Sequence, residues 1–400
     1  MNPGEKFVRG KIHFISNGIF NTRIAGGDIH FLKLAEAAGR AGYELNFYGG
    51  HALAEVIAQH KLPGTVTLTD RAQMGTVNQG TLGGQFAMFR DFYRRYRRTL
   101  RLVPLIAPDD FVYAASDYWF DVLPVVHCPA QRKLMVLHME APGLGQIVLR
   151  SRPDVDRLRL ASLHYWASQR RSLQSFAASG TKRLFHLHPL MASRLRKLGL
   201  HDEEIILVSY GLDVAATDAV PAQTRVYDAV WIGRVHRQKG IDDLLATLAQ
   251  LAQRLENFRA VFIGNVRNEL LPQVKKFGLE NNVEFSGFVS EAEKIRLFKA
   301  SRVFLMPSKY EGSPRVIGES IIAGTPVVAY DVPNYRPLFG DFVRYTPQFN
   351  LGAFQEIAMH EIQEMRAGKN HLETCDLAGF KRENSWETTQ AKFLRALEDL

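Results

Sequence analysis

The feature that most limits what this chain can fold into is a repeated alternation. Short β-rich runs, "KIHFIS" (11–16), "ELNFYGG", "DFVYAAS" and "KLMVLHM" in the first half, then "DAVWIG", "RAVFIG", "VEFSG", "VFLMPS" and "PVVAYD" in the second, alternate with stretches of helical character. Strands separated by helices give parallel sheets covered by helices, because a parallel pair needs a long crossover and the helix supplies it. The pattern predicts helices from about Asp28 to Arg40, closed by Gly42, and near 240–254, 290–300 and 314–323. It occurs twice, and a chain of 400 residues is long enough for two domains at roughly 150 residues each. The break falls in "LVSYGLDVAATDAVPAQTR" (207–225), whose later part has linker composition. The expectation is therefore an α/β protein with domains at 1–212 and 213–385. A last helix, 386–400, has Ser385 as N-cap and Trp386 as anchor, and is expected to pack back on the first domain.

Several function classes fall away on composition. Cys128 and Cys375 are the only cysteines, far apart and without metal or redox spacing, so neither a disulfide framework nor a zinc site is expected. The N-terminal "MNPGEKFVRGKIHFIS" lacks the apolar segment of a secretion signal, and no run approaches the roughly 18 apolar residues of a membrane span. A cytoplasmic protein is expected. Residues 1–210 carry 27 Lys and Arg against 17 Asp and Glu, while residues 211–400 are nearly neutral. The excess positive charge of the first half predicts an anionic partner there.

Ligands of open parallel sheets bind at the carboxyl ends of the strands, so the loops following them are the places to look. In "SNGIFNTRIAGGDIHF", Gly26 and Gly27 lead into a helix and let backbone N–H groups approach an anion; a tight turn alone would use the same residues. In "WIGRVHRQKGIDDL", Arg234 and Lys239 precede a helix that begins near Gly240. They are either solvated loop charges or two cations converging on a diphosphate. In "EGSPRVIGESIIAGTPVVAYD" (311–331), Glu311 and Glu319 stand eight residues apart across a Gly312-Ser313-Pro314 break. That spacing puts one carboxylate in a loop and the other about one and a half turns into a helix starting at Pro314, where two points of one ligand could be held. The triplet Asp154-Val155-Asp156 is read as helix capping rather than a metal motif.

Taken together, "GGDIHFLKLAEAAGRAGYEL", "GRVHRQKGIDDLL" and "VEFSGFVSEAEKIRLFKASRVFLMPSKYEGSPRVIGESIIAGTPVVAYDVPNYR" resemble glycosyltransferase family 4, retaining enzymes of the GT-B fold. The resemblance runs over nearly the whole chain in the right order. It implies two Rossmann-like parallel-sheet domains facing a central cleft, the first holding the acceptor and the second a nucleotide-diphosphate sugar, with no metal required. By that resemblance Arg234 and Lys239, next to Gly233, hold the donor diphosphate. Glu319 binds the ribose hydroxyls and Glu311 the transferred sugar, within the segment Gly312, Ser313, Pro314, Arg315 and Val316. The backbone at Gly287, Phe288 and Val289 meets the nucleobase, Gly26 and Gly27 line the cleft, and His138, after "KLMVL", lies near the donor sugar. His138 also has a plainer reading, as a hydrogen-bonded strand-end residue. One departure is visible: Ser313-Pro314-Arg315 stands where the family often has Phe-Gly, which leaves the donor sugar open.

The stretch "FAMFRDFYRRYRRTLRLVP" (86–104) reads as a helix with Phe86, Phe89, Phe92, Tyr93, Tyr96 and Leu100 on one side and Arg90, Arg94, Arg97, Arg98 and Arg101 on the other. Either the aromatic side packs in the core beneath a solvated face, or the arginines meet an anionic membrane surface or the pyrophosphate of a polyprenyl-linked acceptor. Membrane contact at about 1 kcal/mol per basic residue would make the protein peripheral on the inner face of the cell membrane. Nucleic acid is not expected as a partner. The expected function is hexose transfer from a UDP- or GDP-sugar to a lipid-linked or cell-envelope glycan. The alternative is a non-catalytic nucleotide-sugar or glycan-binding protein on the same fold.

Overall fold

The computed structural model describes residues 9–19, 26–71, 81–155 and 159–400. It divides into two compact units, Met1–Tyr210 with Thr389–Leu400, and Gly211–Thr388. The chain thus passes out of the first unit after Tyr210 and returns to it at Thr389.

The first unit is built on β1 (Lys11–Ser16), β2 (Glu44–Gly49), β3 (Thr65–Leu68), β4 (Phe111–Ala114), β5 (Arg132–Leu137), β6 (Lys182–His186) and β7 (Ile205–Leu207), in spatial order β3-β2-β1-β4-β5-β6-β7. The second contains β8 (Tyr227–Ile232), β9 (Ala260–Ile263), β10 (Val283–Gly287), β11 (Ser301–Met306), β12 (Val327–Tyr330) and β13 (Val343–Thr346), ordered β10-β9-β8-β11-β12-β13. Neighbouring strands pair in parallel throughout both sheets. Phe111–Ala114, Ala260–Ile263 and Val327–Tyr330 are buried at every position, as expected for strands covered on both faces. In the first unit one face packs Phe14, Phe31, Phe47 and Tyr113 and the other Val112, Met135, Leu173 and Phe176. The second unit has one continuous core centred on Trp231, Phe262 and Phe304.

The helices that matter for the site are α1 (Gly26–Arg40), α2 (His51–Gln59), α3 (Leu82–Leu102), α4 (Leu160–Ala177), α5 (Ile241–Arg254), α6 (Glu291–Lys299), α7 (Arg315–Ile322) and α8 (Trp386–Glu398). Ser385 caps α8, its hydroxyl accepting from the Thr388 N–H at 3.1 Å. Beyond that first turn α8 belongs to the first unit, where Phe393 packs edge-on against Tyr113 and beside Phe185. Among the described residues no helix is long and apolar enough to cross a membrane.

Three expectations need correction. The segment 207–225 is not simply linker, because Asp213 caps a helix over Val214–Ala219. No helix opens at Asp154, which forms an ion pair with Arg152 at 2.6 Å instead; Asp156 lies outside the described residues. The face of α3 that is buried is also only in part the aromatic one: Phe92 stacks on Phe120 and Tyr96 meets Trp119, but the face is completed by polar residues. Gln85, Phe92, Arg95 and Thr99 point inward, while Phe86 and Tyr93 are 65% and 52% exposed among the arginines. The cause is Arg95. It is 1% exposed and binds Asp70 at 3.2 Å and Asp91 at 2.8 Å, and those buried partners, distant or local in sequence, decide the rotation of the helix.

Candidate functional site

In the second unit the strand order reverses between β8 and β11, which are neighbours at the centre of the sheet. A crevice opens at such a point because the helices following the two strands go to opposite faces. The loop after β8 carries Arg234 and Lys239, and the loop after β11 carries Glu311. Lys239 Nζ lies 2.5 Å from Glu311 Oε1, each side chain 13% exposed. Backbone contacts fix the two loops to each other: the Lys309 N–H donates to Gln238 O at 2.7 Å and Gln238 Nε2 to Tyr310 O at 2.6 Å. Gly240, at φ +65°, ends the first loop and starts α5, and a Cβ there would stand 2.0 Å from the Pro307 carbonyl oxygen. Asn334 Nδ2 donates to the carbonyls of Glu311 and Gly312, at 2.5 Å each. Arg234 is exposed and has no ion-pair partner among the described residues.

Pro314 is the N-cap of α7, so the helix proper begins at Arg315 and Glu319 is its fifth residue. One Glu319 oxygen lies 3.0 Å from Arg315 and the other 3.0 Å from Lys294 on α6. The Arg315 guanidinium also sits 5.7 Å from the Trp386 ring, and Gly318 presses on Leu212 so closely that a Cβ would be 2.9 Å from it. Gly233 follows β8 against Trp231, and Gly287 ends β10 at φ +69° with Phe288 beyond it 92% exposed and Val289 half-buried. Ser313 and Val316 are likewise half-buried. Lys294, Gln238 and Asn334 were not foreseen. Lys294 is one of several charges on an amphipathic helix, and Asn334 acts through a loop more than twenty residues away from its partners, so sequence spacing carries no signal for either.

In the first unit His138 directly follows β5. Its Nε2 lies 3.4 Å from Ala115 O, its Nδ1 has no hydrogen-bond partner among the described residues, and burial lowers its pKa to about 4. The ring stacks on Tyr210 at 6.1 Å, with His30 edge-on to both. A Cβ on Gly27 would stand 3.1 Å from His138 Nε2, so glycine lets the start of α1 reach the imidazole, with Gly26 next to Tyr210. The rest of the loop before Gly26, residues 20–25, lies outside the described residues. The backbone after His138 is clamped by Gln169 on α4: its Nε2 donates to Met139 O at 2.8 Å and to Asp117 at 2.7 Å, and its Oε1 accepts from the Ala141 N–H at 3.0 Å. Tyr165 donates to the same carboxylate and carbonyl. Burial raises Asp117 to about 6. Arg90, Arg94, Arg97, Arg98 and Arg101 are exposed on α3.

The second unit thus combines a parallel sheet, charged loops at its switch point and the E-x7-E element Glu311–Glu319. Residues 218–351, about a third of the chain, match the family described as Glycosyl transferases group 1. An uncharacterized glycosyltransferase of Methanocaldococcus jannaschii is 33% identical over 105 residues, 26% of this chain and 27% of that protein. Mannosylfructose-phosphate synthase of Agrobacterium fabrum is 31% identical over 107 residues, 24% of each. These matches span only about a quarter of the length of the curated relatives. Over the whole chain the likeness is structural. Anabaena Alr3699/HepE, solved in complex with UDP, superposes with TM-score 0.70 at 16% identity, covering 98% of this chain and 100% of that one. The sucrose-phosphate synthase of Thermosynechococcus elongatus gives TM-score 0.70 at 17% identity, covering 98% and 99%. The fold is GT-B.

Proposed function

We propose that this protein is a retaining glycosyltransferase that moves a hexose from a UDP- or GDP-sugar to a lipid-linked or cell-envelope glycan acceptor. The observation that carries the reading is the pairing of Lys239 with Glu311 across the switch point of the second sheet, with Arg234 unpaired on the same loop. Breaking a sugar–phosphate bond builds negative charge on the leaving diphosphate, and fixed cations there lower the barrier. Arg234 and Lys239 supply that charge without a metal ion. Glu311 faces the transferred sugar and Glu319 the ribose, its carboxylate oriented by Arg315 and Lys294. The glycine at 287, with Phe288 and Val289, borders the base. Gly233, Gly312, Ser313, Pro314 and Val316 form the floor on which these side chains stand.

Gly26, Gly27 and His138 stand together in the first unit, the unit assigned to the acceptor. With its pKa lowered to about 4, His138 is neutral at pH 7 and acts as a hydrogen-bonding group toward the sugar rather than as a charge. Retention follows from attack on the face the diphosphate leaves, the donor phosphate taking the acceptor proton. Peripheral attachment through the exposed arginines of α3 fits an acceptor embedded in the membrane. Four or five of them at about 1 kcal/mol each give only millimolar affinity, so the contact is reversible.

A thermal-shift titration with UDP, GDP, ADP and CMP tests the donor assignment. A site occupied at roughly 100 times its dissociation constant gains about 2.7 kcal/mol. One nucleotide is expected to stabilise the wild type and not Lys239→Ala. Stabilisation of both alike removes Lys239 from the site, and stabilisation by none removes the nucleotide.

A further inference from the structure

The second unit's charges are largely spent on each other, but in the first unit a different group of side chains faces the ligand edge of its sheet. His51 begins α2 directly after β2, and Asp70 follows β3, so both sit at the carboxyl ends of adjacent strands. His51 Nδ1 lies 2.5 Å from Asp70 Oδ1, and the other carboxylate oxygen of Asp70 lies 3.2 Å from Arg95 Nη2. Asp70 also accepts from the His51 backbone N–H, and its own carbonyl accepts from Arg98 Nη1 at 3.0 Å. One buried residue therefore anchors an imidazole by its carboxylate and a guanidinium by its backbone.

The anchor is rigid. Asp70 and Arg95 have side chains 3% and 1% exposed, and a Cβ on Gly50 would stand 2.3 Å from the Asp70 carboxylate and 2.6 Å from Arg95 Nη1. Behind them Thr69 donates to Asn17 at 2.7 Å and Asn17 to Thr99 at 3.2 Å, all three buried. What faces outward is not satisfied. The His51 side chain is 37% exposed with no partner for Nε2 among the described residues, and Arg98 is exposed with its remaining N–H groups unengaged there. The Asp70 carboxylate is engaged by Arg95 and by His51 Nδ1, so the outward side presents the Arg98 guanidinium and the exposed edge of the imidazole. A phosphate has only acceptor oxygens and matches the unengaged N–H groups of the Arg98 guanidinium, with the His51 ring held on the same Asp70. Arg94, Arg97 and Arg101 continue the positive surface along α3.

We propose that His51 and Arg98, held on Asp70, form a phosphate-binding subsite of the first unit that takes the phosphate or diphosphate group of the acceptor. The assignment to the acceptor rests on the glycosyl-transfer reading; the anion site itself does not.

The test uses full-length protein labelled with 15N-histidine, saturated with UDP to occupy the donor site, and titrated with inorganic pyrophosphate. His51 resonances, identified by their loss in His51→Gln, are expected to shift as pyrophosphate is added. Arg98→Gln is expected to weaken the apparent affinity about tenfold, the equivalent of 1.4 kcal/mol. Arg98 is exposed, so that variant keeps the fold and the comparison stands even if His51→Gln is unstable. Unmoved His51 resonances, or equal affinity in Arg98→Gln, overturn the proposal. A second arm replaces pyrophosphate with phosphatidylglycerol vesicles. A His51 shift there that pyrophosphate reverses identifies a lipid headgroup phosphate as a competing source, and a shift with pyrophosphate alone identifies a diphosphate-bearing acceptor. If none of the four nucleotides stabilises the protein but pyrophosphate still moves His51, the transfer reading falls and the anion site remains. The reverse outcome removes the site alone.

Discussion

Replacing Gly240 by alanine perturbs the two loops of the candidate donor site at their point of closest approach. Gly240 has φ +65°, and a residue with a Cβ in that conformation costs about 1–2 kcal/mol. The new methyl would also meet the Pro307 carbonyl oxygen at 2.0 Å. An ordinary contact needs more than 3 Å, so the loops must part by about 1 Å. That separation strains the two hydrogen bonds joining Gln238 to Lys309 and Tyr310, each contributing about 1 kcal/mol. The sum is about 3–4 kcal/mol. For a unit of this size 1 kcal/mol corresponds to roughly 2–4 °C, so Tm should fall by about 10 °C, and the nucleotide response should weaken because Lys239 is the preceding residue. Gly324→Ala is the control: φ is +76° but nothing lies within 4 Å of the added Cβ, so only the conformational cost of about 1–2 kcal/mol remains. Differential scanning calorimetry of both variants with and without nucleotide makes the comparison. Equal losses in the two would refute the argument that Gly240 is required by the packing of one loop on the other.

Glu311→Gln should leave Tm within a few degrees of wild type but lose at least tenfold in sugar transfer, measured by nucleotide release; near-normal turnover would take Glu311 out of the chemistry. Burial raises the Asp121 carboxyl to about 7 from its ordinary 3.8, so the folded chain binds more protons than the unfolded one between these values and stability falls as pH rises through that window. The penalty above pH 7 is at most about 4 kcal/mol. Asp121→Asn keeps partners for Asn17 and Ser116 and should show a flatter urea-midpoint profile from pH 5 to 8; a slope equal to wild type would contradict it. Phe393→Ala, which empties a site between Tyr113 and Phe185, should cost about 3–5 kcal/mol, read as a lowered urea midpoint. Vesicle flotation with Arg94→Glu/Arg98→Glu checks the membrane surface, with binding expected to drop to background.

The strands that could be read from sequence were the apolar runs buried on both faces, such as those at Ala260 and Val327, because continuous burial leaves a continuous apolar signal. The ones missed, β3, β6, β7 and β13, are shorter or carry polar residues: Thr65–Leu68 is only partly buried and Lys182–His186 contains Lys182, Arg183 and His186. The site was legible where function imposes a spacing along one loop and helix, as with Glu311 and Glu319. It was illegible where a partner arrives from another element, as Lys294 does for Glu319 and Asn334 for the Glu311 carbonyl. Helix α3 shows the same limit. Its six arginines look alike in sequence, and Asp70, brought alongside by β3, is among the partners that set the buried Arg95 apart from the rest.

The discontinuity of the first unit has a consequence for vectorial synthesis. Phe393, Ala396 and Leu397 lie in the core that also holds Phe14, Tyr113 and Phe185, yet the ribosome makes them only after the whole of Gly211–Thr388. The intervening unit is contiguous and can close its core as it emerges, at about 5–20 residues per second. The earlier one must wait with an apolar socket open for the time taken to translate everything between. During that interval the socket is a natural landing place for a chaperone, and a messenger truncated before codon 389 would leave it open permanently.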